Sequence, residues 1–199
     1  MALIPVVEKT VQTNADKSVD TSVDTSLTAA GGGPAVTAEE VLRRRRRQDP
    51  DTAPLWEILD QVCDPEIPVL SIWDLGVLRD IERTGEHITV TITPTYSGCP
   101  AMTTITEDVE AALARAGFAE VSVKLTLAPA WTTDWISAAG REKMRAYGIA
   151  PPVQRSHTVA CPQCGSDDTG LISEFGSTAC KALYRCNQCL EPFDYFKCL

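Results

Sequence analysis

Apolar residues change period several times after residue 50 of this chain, and each change marks an element. Leu55, Ile58, Leu59 and Val62 recur at helical spacing, with Thr52 placed to cap and Pro54 early in the first turn. That helix ends by Asp64-Pro65, because the residue before a proline avoids the helical region. Gly76 to Glu82 predicts a strand and Thr84-Gly85-Glu86 a turn. From His87 to Thr93 the period is two. Ile88, Val90 and Ile92 alternate with Thr89, Thr91 and Thr93, predicting a half-buried strand in a hairpin with its predecessor. Pro100 suits the first turn of a helix carrying Met102, Ile105, Val109, Leu113 and Ala116, and Gly117 supplies its stop. Val121, Val123, Leu125 and Leu127 alternate with Ser122, Lys124 and Thr126, predicting a third strand. A last helix, about Ser137 to Tyr147, ends before Pro151-Pro152. This order of elements predicts an α+β domain: a small mixed sheet with helices on one face.

Residues 1–50 lack such a pattern. They are rich in Thr, Ser, Asp, Ala and Val, are broken by Gly31-Gly32-Gly33-Pro34, and are expected to be a disordered extension. Within them Thr37 to Arg47 can form a helix, with Thr37 as cap and Glu39-Glu40 in the first turn. The run Arg43 to Arg47 reads as a solvated basic stretch in a flexible segment, or, more sharply, as a docking site for an acidic partner. The expected organisation is therefore an extension over 1–50, an α+β domain over 51–152 and a small cysteine-rich module over 153–199, with a linker at Pro151 to Ser156.

Composition narrows the function classes. No stretch approaches the roughly 18 apolar residues that a membrane helix needs, and Met1 to Asp20 carries Glu8, Asp16 and Asp20 with no signal-peptide pattern. The chain is expected to be cytoplasmic, with no membrane partner. A net charge of −9 and a pI near 4.7 argue against nucleic acid as a partner. The 8 cysteines, 6 of them after residue 160, are expected to be reduced thiols or metal ligands.

The strongest chemical signal is a pair of C-x-x-C motifs, Cys161-Pro162-Gln163-Cys164 and Cys186-Asn187-Gln188-Cys189, separated by residues 165–185. That spacing predicts a zinc ribbon in which Cys161, Cys164, Cys186 and Cys189 hold a structural ion. A module this small buries little core, so the metal should contribute folding energy directly. Cys180 and Cys198 are left over. They are a buried small hydrophobe and a free terminal thiol on the bland reading, and additional metal ligands, for iron or an iron–sulfur cluster, on the sharper one.

A second signal is Cys99 in Ser97-Gly98-Cys99-Pro100, just before a predicted helix, where the helix dipole favours a thiolate. It reads either as a reactive or metal-accepting thiol or as an ordinary half-buried cysteine. Asp64 and Glu66 lie in a loop stiffened by Pro65 and Pro68, where they either cap the loop or join Cys99 around a transiently held metal. Phosphate-binding glycine loops, H-E-x-x-H and dinucleotide fingerprints are all missing from the sequence.

Together these residues carry a resemblance. Asp64-Pro65-Glu66-Ile67-Pro68, Ile72-Trp73-Asp74-Leu75-Gly76, Thr93-Pro94-Thr95-Tyr96 and Gly98-Cys99-Pro100 resemble the MIP18 (DUF59) family of iron–sulfur maturation factors over about residues 52–150. The ribbon, with Phe175 to Tyr184 and Phe193 to Cys198, narrows this: the combination resembles the D-subunit (also J-subunit) family of bacterial phenylacetyl-CoA epoxidase systems. The resemblance implies a maturation or assembly factor in aerobic phenylacetate degradation that aids iron or iron–sulfur insertion, with no independent catalytic activity. It implies Cys99 as the transfer cysteine and cofactor-binding residue, with Asp64 and Glu66 nearby, and the ribbon cysteines as ligands. The implied partners are the reductase or oxygenase subunits of the epoxidase, or a second copy of the chain as a homodimer. The rival expectation is a stoichiometric structural subunit without transfer chemistry.

Overall fold

A computed structural model describes residues 36–153 and 158–198. Helices α1 (Ala38–Arg46) and α2 (Ala53–Leu59) lead into a hairpin of β1 (Leu78–Thr84) and β2 (His87–Ile92). Helix α3 (Ala101–Arg115) then crosses to β3 (Glu120–Leu125), and a 3-10 turn (Thr133–Trp135) precedes α4 (Ala138–Tyr147). The sheet order is β1-β2-β3, antiparallel in the hairpin and parallel between β2 and β3. A parallel pair needs a crossover connection, which α3 supplies. The sheet is therefore mixed, as predicted.

The period-two reading of β2 holds: Ile88, Val90 and Ile92 are fully buried, while His87, Thr89 and Thr91 are not. Ile105, Val109 and Leu113 of α3 and Leu55, Trp56 and Leu59 of α2 complete the same core. The alternation in β3 fades. Val121 and Val123 are half-buried, but Leu125 and Leu127 are exposed. β3 is an edge strand, and its pairing with β2 ends at Leu125, so the last alternating residues run beyond the core.

Helix α1 corrects the expectation of a flexible, solvated Arg43–Arg47 run. Thr37 caps it as predicted, its hydroxyl accepting from the Glu40 N–H at 3.2 Å. But order extends through these residues rather than starting at Asp51, because α1 is bolted to the domain. Arg43 is fully buried, its guanidinium donating to the Trp73 carbonyl at 3.1 Å and the Trp135 carbonyl at 2.6 Å and lying 4.5 Å over the Trp73 ring. Glu40, also buried, accepts from the Ala138 N–H at 3.1 Å at the start of α4. Arg46 donates to the Arg79 carbonyl and Arg47 pairs with Asp60 at 2.7 Å. A guanidinium with several fixed donors can be buried where loop carbonyls and an indole face receive it. Residues 1–35 lie outside the described residues.

After α4, Gly148 turns the chain and Ile149–Ala150 form β4. The ribbon strands follow: β5 (Thr169–Ser173), β6 (Lys181–Cys186) and β7 (Pro192–Phe196). They form a second sheet of order β4-β7-β6-β5, so β4 hydrogen-bonds directly into the ribbon. Cys180 and Phe196, both from the ribbon sequence, are buried in the core of the first domain, and Trp131 packs against Phe196 with ring centroids 6.1 Å apart. Part of the expected linker, residues 154–157, lies outside the described residues. The described residues cluster as one compact unit, and the two sheets share core.

Candidate metal centre and thiol site

Cys186 closes β6 opposite Thr169, and the Cys161–Cys164 loop lies just before β5, so the hairpin brings the two C-x-x-C turns face to face. The four sulfurs lie within 4.8 Å of one another. Cys161 and Cys189 are 3.7 Å apart and Cys164 and Cys186 3.6 Å. A tetrahedron with metal–sulfur bonds of about 2.3 Å has an edge of about 3.8 Å, so these residues fit a closed four-thiolate site. Backbone N–H groups of Gln188 and Cys189 both donate to the Cys186 sulfur at 3.4 Å and draw its thiol down to about 6, readying a thiolate for a metal. The two knuckles share one backbone form. The residue after each second cysteine has positive φ, 76° at Gly165 and 67° at Leu190.

The second candidate is the thiol of Cys99. Cys99 is half-buried between Tyr96 and the start of α3, its N–H donating to the Tyr96 carbonyl at 3.2 Å. The backbone at Ala101 and the Thr95 side chain both favour its thiolate. The predicted pull of the helix start is therefore present, but it loses. Burial, helped by the charges of Glu66 and Asp64, pushes the Cys99 thiol up from its ordinary value, so the low-pKa thiolate expected from its position is corrected to a neutral thiol.

Asp64 does what loop capping requires. It is buried, and its Oδ1 accepts from the Glu66 N–H at 2.9 Å and the Ile67 N–H at 2.8 Å. Among the described residues no hydrogen bond holds the half-buried Glu66 carboxylate, which acts on Cys99 through its charge. Asp74 stands apart from this group. It ties the loop to α4 through the Ser137 hydroxyl at 2.9 Å and Lys143 at 2.6 Å.

Glu66 and Asp64 act through their charges on Cys99 and also on Cys180. Cys180 is 6% exposed, accepts or donates across 3.0 Å to the Thr178 hydroxyl, and feels the charges of Glu66 and Asp64. Sequence reasoning had no local signal for that destination, since nothing around Cys180 in the chain says which core it enters. Cys198 is exposed beside Thr133, with its sulfur 3.4 Å from the hydroxyl, and joins neither group. No helix among the described residues is long and apolar enough to cross a membrane.

Known proteins match both halves. Residues 53–125 match the family described as "Iron-sulfur cluster assembly protein", and residues 150–197 match "PaaD zinc beta ribbon domain". An Escherichia coli (strain K12) protein, named as the D subunit of a "Putative 1,2-phenylacetyl-CoA epoxidase", is 53% identical over 156 residues, covering 75% of this chain and 94% of its own length. A "Fe-S protein maturation auxiliary factor" from Porphyromonas gingivalis (strain ATCC BAA-308 / W83) is 38% identical over 82 residues, covering 40% of this chain and 77% of that one. Among solved structures, a DUF59 domain of unknown function from Bacillus anthracis superposes with a TM-score of 0.44 at 26% identity, covering 46% of this chain and 89% of that one.

Proposed function

The chain belongs to the family of phenylacetyl-CoA epoxidase D subunits, and from that membership we propose that it is a maturation factor that aids insertion of iron or an iron–sulfur cluster into the epoxidase, in the cytoplasm, during aerobic phenylacetate degradation. One observation carries this reading beyond the name of a relative. A half-buried thiol, Cys99, stands just before α3 and feels the charges of Glu66 and Asp64 from the loop after α2. A thiol beside carboxylates suits a borderline-soft cation such as ferrous iron, which accepts both sulfur and oxygen. A single thiol holds a metal less firmly than the four-cysteine cage of the ribbon, which suits transfer.

The ribbon plays the other part. Cys161, Cys164, Cys186 and Cys189 would hold zinc, which supplies cross-linking and no redox chemistry there. Iron is the cargo, and Cys99 is its acceptor. In this reading the reductase or the oxygenase subunits are the clients, and no reaction on phenylacetyl-CoA takes place on this chain.

The test is to purify the epoxidase subunits from cells with and without this chain. Maturation is expected to leave them several-fold poorer in iron and sulfide when the chain is missing. Equal loading, with the chain co-purifying at a fixed ratio, would instead make it a structural subunit.

A further inference from the structure

β3 ends its sheet, and among the described residues no strand pairs with its outer edge. The direction of its backbone groups is fixed by one hydrogen bond. The Thr126 N–H donates to the Ile92 carbonyl at 2.9 Å, so Lys124 and Ser122, at alternate positions before it, also turn their N–H and C=O toward β2. Val121, Val123 and Leu125 therefore present theirs to the open edge. The side chains are sorted in the same way. Ser122 lies on the polar face of the sheet, its hydroxyl 3.0 Å from the His87 Nε2 and 3.4 Å from the Thr89 hydroxyl. Glu120 and Lys124 flank it on that face, both exposed. Val121, Val123 and Leu125 share the other face with buried Ile88, Val90 and Ile92, yet Leu125 is left 54% exposed there.

An open edge is a template for another strand, and a lysine on it commonly blocks pairing. Here the two charges select a register. An antiparallel partner must set outward groups against outward groups, so a second β3 meets the first with odd positions opposite odd and even opposite even. Among those registers, the one centred on Ser122 places Glu120 of each copy opposite Lys124 of the other, about a two-fold axis. Moving the centre by one residue loses both pairs, and a centre at Glu120 or Lys124 sets like charges face to face. In the favoured register Val121 and Val123 of facing copies exchange their free N–H···O bonds. Glu120 and Lys124 then fall on the non-hydrogen-bonded positions, where facing side chains stand closest. Leu125 comes opposite Ala119 and gains the cover that its own sheet does not give.

We propose that β3 is a dimer edge, joining two copies of this chain antiparallel about Ser122 with reciprocal Glu120–Lys124 ion pairs, so that their sheets become one. The partner is a second copy because the charge pattern is its own complement. The inference is independent of the maturation reading and stands or falls apart from it.

The full chain, zinc-loaded and kept reduced so that no disulfide joins copies, is measured by sedimentation equilibrium. A dimer in concentration-dependent balance with monomer is expected. Glu120→Lys and Lys124→Glu, each alone, set like charges opposite one another and are expected to weaken association about tenfold or more. Mixed in equal amounts, the two variants again match every charge with its opposite, and a heterodimer of near wild-type affinity is expected. That recovery separates a lost contact from a misfolded chain. A wild type that stays monomeric overturns the inference and leaves the edge to a strand from a client protein. A dimer whose affinity ignores the single reversals overturns it as well, because another surface then joins the copies. So does a loss of association that mixing fails to restore.

Discussion

Single residues set the chemistry of this molecule through burial. The Cys99 thiol sits before a helix yet is pushed up from its ordinary value, because desolvation and the charges of Glu66 and Asp64 outweigh what favours its thiolate. Iodoacetamide is therefore expected to label Cys99 more slowly than a free thiol at neutral pH, with the rate still rising at pH values where a free thiol has levelled off; faster labelling would restore the thiolate reading. The same sign governs stability. Cys99 and Cys180 both have raised pKa values, so their contribution is complete below the ordinary thiol range and is lost as pH rises through their folded values. Gly76 is a different kind of constraint. Its φ is +74°, and a Cβ there would meet the Trp135 carbonyl oxygen at 2.5 Å. Gly76→Ala is expected to cost about 2–5 kcal/mol in denaturant unfolding, from left-handed strain and overpacking together. Leu190 occupies in the second knuckle the backbone form that Gly165 has in the first, and its side chain is exposed. Leu190→Gly is expected to be neutral or stabilising by about 1 kcal/mol, and a clear loss of thermal stability would show that the exposed leucine has a packing partner.

At the level of elements, α1 and the ribbon are the two additions to the small sheet: buried polar groups anchor α1, and strand pairing with Phe196 packing anchors the ribbon. Arg43 remains charged although burial and nearby Arg79 lower its pKa to about 10. Removing it strands the Trp73 and Trp135 carbonyls. Arg43→Ala is expected to destabilise the fold by about 2–4 kcal/mol, since hydrogen bonds to a charged group are each worth about 1.5–3 kcal/mol. Arg45→Ala, at an exposed side chain with no partner among the described residues, should stay within about 0.5 kcal/mol. Equal effects of the two would mean that the helix is held by something other than this buried guanidinium. In the ribbon, stripping the metal with a chelator is expected to do more than loosen the knuckles. β4 pairs with β7, and Phe196 packs on Trp131, so loss of the ribbon should lower the melting temperature of the whole unit and change tryptophan fluorescence.

For the whole molecule, the local signals were legible in the chain and the destinations were not. The alternation in β2, the helical period of α3, the cap of α1 and both C-x-x-C turns follow from neighbours in sequence. The burial of Arg43 and the core that Cys180 enters do not, because an arginine run looks alike whether it ends in solvent or in a core, and a buried cysteine does not say which core it joins. Cys99 was legible as a candidate but not its neutral state, which depends on how deep the loop sinks and which acids face it. The fused core of the two sheets was equally invisible, since Pro151-Pro152 reads as a linker while β4 just before it joins the ribbon.

The most direct test is the iron and sulfide content of epoxidase subunits purified from cells whose only copy of this chain is either wild type or Cys99→Ser. The variant should fold, retain its ribbon metal and be present at normal levels, while its client is loaded several-fold less. Full loading with Cys99→Ser would contradict a transfer role for this thiol and leave the chain as a docking subunit of the complex.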